Sequence, residues 1–321
     1  MVGAEKRGNG FRYVPLKGAH FFKEIDSEEK ARQWAWKARF GGREFECPQC
    51  RGNEYYQHKA PAEVRTCKNR NCLKQVRLRA GTVFQDSKIP MLTWIRAIYF
   101  VMQSKRGISA LELKRLLGMS SYGTTWSILH KIRQALRQRD AQYKLSNIIE
   151  LDSAFFGKKI TNNQRRVLVA VEAKEWVDDK KRLKSGAGFA KVVAVIGNSR
   201  DHVKDLVDNE VTKGSVIYTD AEIGFVKLRD SGKLHAEIRH SATGSTKEES
   251  ERWLPWVHKF ISNAKTWVLG THHGVEAKYL TRYLGEYTYR FNRRHDPDSL
   301  FHRALTACAT ASPWPAHVLF G

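Results

Sequence analysis

Acidic residues and long apolar segments are both scarce in this sequence. Its 321 residues include 33 Asp and Glu against 56 Lys and Arg, which gives a formal net charge of +23 at pH 7. Such an excess of positive charge indicates a polyanionic partner, most simply nucleic acid. No apolar run approaches the roughly 20 residues that a transmembrane helix requires, and no N-terminal apolar segment resembles a secretory signal. We therefore expect DNA as the partner and no association with a membrane.

Cysteine is also rare, and its placement argues against a secreted disulfide framework and for a reducing compartment. Five cysteines are present, and four of them form two close pairs, Cys47 with Cys50 and Cys67 with Cys72. Two pairs on tight turns, joined by a β-prone connector, are the arrangement that a tetrahedral zinc ribbon requires. Because four thiolates leave no open coordination position, the expected zinc ion is structural. His58 is an alternative ligand, and reduced thiols on a surface loop are the alternative to zinc binding.

Residues 91–146 have the apolar spacing of three helices. One begins after Pro90, a second is capped by Ser109, and a third begins at Ser120 or Ser121. Two helices joined by a Gly-containing turn, the second long and basic, are typical of a helix-turn-helix domain. A plain three-helix bundle has the same apolar pattern, but ten Lys and Arg against two acids favour DNA binding. The side chains expected to face DNA from the third helix are Tyr122, Thr124, Thr125, Lys131 and Arg133.

A short apolar strand that carries acids is the most informative stretch of the chain. Residues 147–156 are rich in β-prone side chains and are interrupted by Glu150 and Asp152, which are two residues apart and so face one side of a sheet. A carboxylate on a core strand is costly unless a partner neutralises it. A divalent metal ion is the partner that makes chemical sense of such a position. The alternative is that Asp152 stands at a strand end and faces water.

Further β-rich runs predict a mixed α/β sheet around this strand. Two runs occupy residues 166–172 and 189–196, and another occupies 215–219, with Asp220 at its carboxyl end. Sites in open sheets of this kind gather at the carboxyl ends of strands. Asp152 and Asp220, on neighbouring strands, therefore predict a two-metal site with the hard oxygen ligands that magnesium prefers.

A later helix, over residues 254–268, is expected to supply the third member of this site. It has an apolar packing face, and His258 and Lys265 are seven residues apart, which is two turns along one face. Either residue alone is weak support, since a single histidine on a helix is usually held by ordinary structural hydrogen bonds.

Short motifs between about Phe40 and Arg294 together carry a family resemblance. They are Cys47-Pro-Gln-Cys50, Gly81-Thr-Val-Phe84, Gly107-Ile-Ser109, Leu151-Asp152, Tyr218-Thr-Asp220, Leu254-Pro-Trp-Val-His258, Lys265, Leu269-Gly-Thr-His-His273 and Tyr289-Arg-Phe-Asn-Arg-Arg294. Each is unspecific alone, but in combination the sequence resembles bacterial insertion-sequence transposases of the DDE type that have an N-terminal zinc ribbon. The resemblance implies a ribonuclease-H-like catalytic fold. It also implies a catalytic set of two aspartates, a variable third residue and a lysine.

Position by position, the resemblance assigns that catalytic set to Asp152, Asp220, His258 and Lys265. The first three would bind magnesium or manganese. The implied activity is nicking of double-stranded DNA at the 3′ ends of terminal inverted repeats and strand transfer into target DNA. A homodimer or higher oligomer would act on the DNA, in the bacterial cytoplasm and at the nucleoid. Ser153 departs from the pattern, since many relatives have Glu there, and Glu251 is the alternative third residue.

The predicted domain order assigns each part of the chain a role. It comprises a leader and short helix over 1–42, a zinc ribbon over 43–80, a helix-turn-helix domain over 81–146, a ribonuclease-H-like mixed sheet with flanking helices over 147–296, and a tail over 297–321. Arg293 and Arg294 are expected as further DNA contacts, and Cys308 as a small core residue. Two other functions fit the residues: a non-catalytic DNA-binding regulator derived from a transposase, and a structure-specific nuclease. Retention of both aspartates and the lysine disfavours the regulator, and terminal inverted repeats flanking the coding region would separate a transposase from both.

Overall fold

A computed structural model describes residues 4–7, 10–13, 16–60, 62–157, 164–177, 180–195, 199–220, 237–240, 253–315 and 318. The chain divides into two compact units, of which the first comprises Met1–Arg139 together with Arg293–Gly321 and the second comprises Asp140–Asn292. Along the chain, the second unit is therefore inserted into the first. None of the helices within the described ranges is long and apolar enough to cross a membrane.

The first unit combines small β-sheets with helices. Its elements up to the insertion are β1 (Ala4–Arg7), β2 (Gly10–Tyr13), α1 (Gly18–Glu24), α2 (Glu28–Arg39), β3 (Tyr55–Gln57), β4 (Val64–Cys67), β5 (Gln75–Arg77), α3 (Met91–Gln103), α4 (Ala110–Leu117) and α5 (Tyr122–Asp140). Among the described residues, β3, β4 and β5 pair antiparallel as a three-stranded sheet. Cys47 and Cys50 precede β3, whereas Cys67 ends β4 and Cys72 lies between β4 and β5.

The starts of α3, α4 and α5 follow signals in the sequence. Pro90 precedes α3, where its missing N–H costs no helical hydrogen bond. Ser109 Oγ accepts a hydrogen bond from the Glu112 N–H at 3.1 Å, and Ser121 Oγ accepts one from the Thr124 N–H at 3.2 Å. Both serines thereby satisfy a backbone donor that has no partner inside its helix. The three predicted helices are confirmed, whereas their role in DNA binding stays a prediction.

The observed burial of side chains corrects part of the prediction of which residues face DNA. The prediction that Thr125 and Arg133 face outward is wrong, because both side chains are completely buried. They lie four residues before and after Leu129, and therefore on the stripe of α5 that turns inward. Arg293 is buried as well, whereas Arg294 is partly exposed. The other predicted DNA-facing residues of α5 reach solvent at least in part; they are Tyr122, Thr124 and Lys131.

The second unit is a mixed β-sheet with helices. Its elements are β6 (Ile148–Phe156), β7 (Arg165–Val177), β8 (Leu183–Ala194), α6 (Ser199–Glu210), β9 (Val216–Thr219), β10 (Glu237–His240), α7 (Pro255–His272) and α8 (Leu280–Phe291). Within the described part of the chain, the strand order is β10-β9-β6-β7-β8. Strands β6, β7 and β8 are antiparallel neighbours, whereas β6, β9 and β10 run parallel. The mixed α/β sheet predicted from the sequence is confirmed.

The two faces of β6 contribute to two separate apolar cores. Ala154 belongs to the core that includes the inner faces of α7 and α8, whereas Leu151 belongs to the core that includes α6. Successive side chains of a strand point to opposite faces of the sheet. Glu150 and Asp152 therefore share a face with Ala154, and α7 covers that face.

Hydrogen bonds join the two ends of the second unit. Asn292 Nδ2 donates to Asp140 Oδ2 at 2.9 Å and to the Ala190 carbonyl oxygen at 3.1 Å, while Asn292 Oδ1 accepts from the Ala190 N–H at 2.7 Å. Lys191 Nζ donates to the Asp140 carbonyl oxygen at 2.7 Å. The chain thus enters and leaves this unit at adjacent points, as is common for inserted domains.

The segment predicted as a tail, residues 297–321, contains a core helix of the first unit. This helix, α9 (Leu300–Thr310), packs against α2 and α3. The centroid of the Phe301 ring lies 6.0 Å from that of Tyr99 on α3. Cys308 is buried, as expected of a small core residue.

We expect Phe301→Ala to lower the free energy of unfolding of the first unit by about 3–5 kcal/mol, because the substitution leaves a cavity in a core. The ring is 2 % exposed. Leu111→Ala is the control: Leu111 on α4 is 66 % exposed, and its loss should change stability by at most about 0.5 kcal/mol. Urea unfolding followed by circular dichroism measures both variants. Equal, small changes would show that α9 is not part of the core.

Candidate active site

One strand and one helix of the second unit supply most of the predicted site. Asp152 on β6 faces His258 on α7, with 3.4 Å between Asp152 Oδ2 and His258 Nε2. Two turns later, Lys265 Nζ lies 5.9 Å from the centroid of the Phe156 ring. The strand and the helix therefore run in the same direction past each other. Glu251, the alternative third residue, lies outside the described residues.

Asp152, His258 and Lys265 line one cavity of about 530 Å³. Three apolar residues, among them Ile261, and three further polar ones complete its wall. A cleft of this volume in which several polar groups converge is typical of a binding or catalytic site. Both Asp152 and His258 keep partial access to solvent. The structure thus brings three of the four predicted catalytic residues to one place.

Asp220 follows directly after β9, the parallel neighbour of β6. Thr219, the last residue of β9, is the register partner of Leu151, the residue before Asp152. The two aspartates therefore stand at the same level of adjacent strands, which agrees with the sequence-based placement. Among the described residues that line the cavity, Asp220 is not included.

Ser153, which departs from the family pattern, has a hydrogen-bond partner on the neighbouring strand. Ser153 is on the opposite face of β6 from Asp152, and its Oγ accepts hydrogen bonds from Arg166 Nε at 3.1 Å and Nη2 at 3.0 Å. The Ser153 backbone N–H donates to Asp152 Oδ1 at 2.6 Å. This residue therefore holds one oxygen of Asp152 through its backbone and an arginine through its hydroxyl.

Glu150 is a buried acid for which the sequence offers no partner beyond a metal ion. Its side chain is 3 % exposed, and Oε2 accepts hydrogen bonds from the backbone N–H groups of Trp256 at 2.7 Å and Val257 at 2.8 Å. These are the second and third residues of α7, and the first, Pro255, has no N–H. Burial raises the pKa of Glu150 to about 7, although the two donors favour the charged form.

A second cluster of reactive side chains lies in the first unit. Among the described residues, the sulfur atoms of Cys47, Cys50, Cys67 and Cys72 all lie within 4.8 Å of one another. Four sulfurs bound tetrahedrally at the usual zinc distance would be about 3.8 Å apart. Here Cys47 Sγ lies 3.6 Å from Cys72 Sγ, and Cys50 Sγ lies 3.5 Å from Cys67 Sγ. Burial raises the pKa of Cys47, but hydrogen bonds from the backbone N–H groups of Cys50 and Gln49 and from neighbouring thiols together lower it to about 7. Burial and the neighbouring sulfur atoms raise the pKa values of Cys67 and Cys72. The separations of the four sulfur atoms fit a metal ion that binds them as thiolates.

Turns and strands position these cysteines. The Cys47 N–H donates to the Gly52 carbonyl oxygen at 2.8 Å, which closes the first turn, and Cys67 is the last residue of β4. His58, the alternative ligand, is not in the described cluster. Its Nε2 lies 2.8 Å from Thr66 Oγ1 instead.

Comparison with known families identifies the second unit. Residues 144–292 match the family model described as the ISXO2-like transposase domain. The matched segment covers the sheet and α7, and so includes all four predicted catalytic residues. No curated protein matches the chain significantly. A transposase domain implies DNA as the partner. The resemblance inferred from the motifs is thereby confirmed: residues 144–292 are a transposase domain of the DDE type found in insertion sequences.

Proposed function

We propose that the protein is the transposase of an insertion sequence, which nicks the 3′ ends of terminal inverted repeats and transfers them into target DNA. The observation that carries this proposal is the cavity that Asp152, His258 and Lys265 share inside the matched transposase domain. The strand order, with three antiparallel strands followed by two parallel ones, supports a ribonuclease-H-like fold for this unit.

Asp152 and Asp220 would hold magnesium or manganese, with His258 as the third ligand. Carboxylate oxygens are the ligands that magnesium prefers, whereas a neutral imidazole suits manganese better. The solvent access of Asp152 and His258 fits a site that must also admit water and DNA. When bound, two such ions activate a water molecule and stabilise the leaving oxygen.

Nicking and strand transfer are two successive displacements at phosphorus, and Lys265 and His258 would assist them. In nicking, the water oxygen attacks the phosphorus, the bond between phosphorus and the 3′ oxygen breaks, and a 3′-hydroxyl is left on the element end. That hydroxyl oxygen then attacks a phosphorus of target DNA and releases a target 3′-hydroxyl. Lys265 would contact a non-bridging phosphate oxygen and stabilise its developing charge. His258 could instead orient the attacking water by a hydrogen bond.

The first unit would supply most of the DNA binding. We assign this role to the zinc ribbon over 43–80 and the helix-turn-helix over 81–146, with the solvent-accessible Tyr122, Thr124 and Lys131 as contacts. Arg294 would add a contact near the end of α8. The protein would act as a homodimer or higher oligomer on element ends, in the cytoplasm and at the nucleoid.

Asp152→Asn and Asp220→Asn should each abolish nicking of element ends while DNA binding persists, because the acids hold the metals and the first unit holds the DNA. Asp205→Asn on the exposed side of α6 is the control and should nick normally. Gel assays of nicking and strand transfer, with magnesium and labelled ends, separate these variants. Nicking by Asp220→Asn at the wild-type rate would end the two-metal proposal. Nicking without strand transfer by the wild-type protein would instead indicate a nuclease.

His258→Ala should lower the nicking rate by a factor of roughly 100 or more, which is within the range that general acid–base groups supply. His258→Glu should retain part of the activity, since a carboxylate is a harder ligand for magnesium. Glu251→Ala, assayed with both magnesium and manganese, is the comparison. If Glu251→Ala is inactive and His258→Ala is active, Glu251 is the third member of the site.

The cysteine cluster should hold about one zinc ion per chain, because four thiolates form a closed structural site. Chelation should release the ion and expose residues 43–80 to hydrogen exchange, since metal binding and folding are coupled in such small units. Cys72→Ser should behave like the chelated protein, and Cys308→Ala, outside the cluster, should keep its zinc. Elemental analysis of the purified variants provides the measurement. Zinc retained by Cys72→Ser at full occupancy would contradict the proposed ligand set.

A further inference from the structure

Strand β6 and helix α7 meet at three successive levels. Glu150 bonds to the N–H groups at the start of α7, Asp152 faces His258, and Phe156 lies beside Lys265. Only the first level consists of hydrogen bonds between the strand's side chain and the helix backbone. The other two join side chains, which can rotate without moving the helix.

We propose that Glu150 is the positioning residue of the active site: it fixes the register of α7 against β6 and so holds His258 against Asp152. The inference rests on the proposed function for its catalytic consequence. Glu150 is two residues before Asp152, while its donors Trp256 and Val257 directly precede His258. Any shift between Glu150 and the start of α7 would therefore move His258 relative to Asp152, since only one or two residues separate the two contacts on each element.

The start of α7 depends on this distant carboxylate. Leu254, the residue before the helix, offers no side-chain hydrogen bond, and Pro255 has no N–H. The His258 N–H is already bonded to the Leu254 carbonyl oxygen at 3.3 Å. Trp256 and Val257 thus carry the donors that need an acceptor from outside the helix, and the first turn of a helix favours an anionic one.

Apolar packing alone would not set this register. The core between α7 and the sheet is built from side chains such as Val257 and Phe260, and hydrophobic contact has no preferred direction. A shift of α7 by one residue would rotate its side chains by about 100° about the helix axis. His258 would then no longer face Asp152.

Three substitutions separate positioning from metal binding. Glu150→Gln keeps an acceptor oxygen at the same reach, Glu150→Asp shortens the side chain by one methylene group, and Glu150→Ala removes the acceptor. If Glu150 acts by positioning, Glu150→Gln should keep most of the nicking activity, Glu150→Asp should keep less, and Glu150→Ala should keep least. A direct role of Glu150 as a metal ligand would make Gln nearly as damaging as Ala, because a neutral amide is a poor substitute for a carboxylate on magnesium.

Glu172 provides a matched control for loss of stability. Its side chain is 5 % exposed, and its two carboxylate oxygens accept hydrogen bonds from the Ser146 N–H at 2.9 Å and the Phe189 N–H at 3.0 Å. Neither donor belongs to α7. Glu172→Ala should therefore destabilise the unit much as Glu150→Ala does, without moving His258.

The experiment uses the full chain, with zinc and magnesium present, in two arms. The first arm measures kcat and KM for nicking of element-end DNA. We expect Glu150→Ala to lower kcat about 100-fold, the cost of a catalytic group misplaced by about 1 Å, with KM unchanged. Glu150→Gln and Glu172→Ala should stay within about fivefold of wild type by the same reasoning. If Glu150→Ala has the kcat of Glu172→Ala, or if Glu150→Gln is as slow as Glu150→Ala, the proposal is overturned.

The second arm measures hydrogen exchange of the backbone amides of residues 255–259 and needs no activity. Exchange at Trp256 and Val257 should accelerate in Glu150→Ala, remain slow in Glu150→Gln and remain slow in Glu172→Ala. If Glu150→Ala does not fold, Glu150→Asp takes its place in both arms, with smaller effects in the same direction. A wild-type protein that nicks no element end would refute the proposed function, while this arm would still decide whether Glu150 holds α7. Unchanged exchange in every variant would overturn the positioning role.

Discussion

Two hydrogen bonds between the carboxylate of a strand residue and the first turn of a helix connect the sheet and the helix of the transposase domain. Burying Glu150 removes water from a group that ionises easily, and this burial raises its pKa. The N–H groups of Trp256 and Val257 donate hydrogen bonds to Glu150 that replace part of its lost hydration. The apolar core between sheet and helix supplies most of the attraction, and this polar contact selects one arrangement among those that the core would accept. The position of His258 opposite Asp152 follows from that selection.

The chain as a whole is basic, whereas the candidate site contains acids. A net charge of +23 draws any polyanion toward the protein, and that attraction weakens as salt is added. Yet the site itself is built on acids, which would repel a phosphate unless cations lay between. Under the proposed function, metal ions held by Asp152 and Asp220 would lie between these acids and the phosphate, and the net positive charge of the chain would favour the approach of DNA before any specific contact forms.

Local chemistry made several elements predictable from the sequence. Helix α4 begins after Ser109 and ends before Gly118, because an N-cap and a left-handed C-terminal residue each act within one turn. The two cysteine pairs behave in the same way, since each lies on its own tight turn. Asp220 could be placed near Asp152 because sites in open α/β sheets gather at the carboxyl ends of strands, and Asp220 follows directly after such a strand.

Other features depend on partners distant in sequence. The acceptor role of Glu150 involves donors 106 and 107 residues away, although a buried acid and a helix start without a capping side chain were both visible. Thr125 and Arg133 were assigned outward by their polarity, and their spacing from Leu129 decided otherwise. The return of α9 to the first unit has no local signal at all, because any apolar helix face could have found a different surface.

The insertion of the second unit has a consequence for synthesis. Residues of Asp140–Asn292 leave the ribosome together, and their two ends can be joined through Asn292 and Asp140 before the chain is finished. The first unit must wait, because α9 packs against helices made near the start. A chain cut short before α9 would therefore carry a complete transposase domain attached to an incomplete first unit. If the proposed function holds, such a product would have the residues for cutting DNA and lack the full means of finding element ends, and activity would begin only when the whole chain has been made.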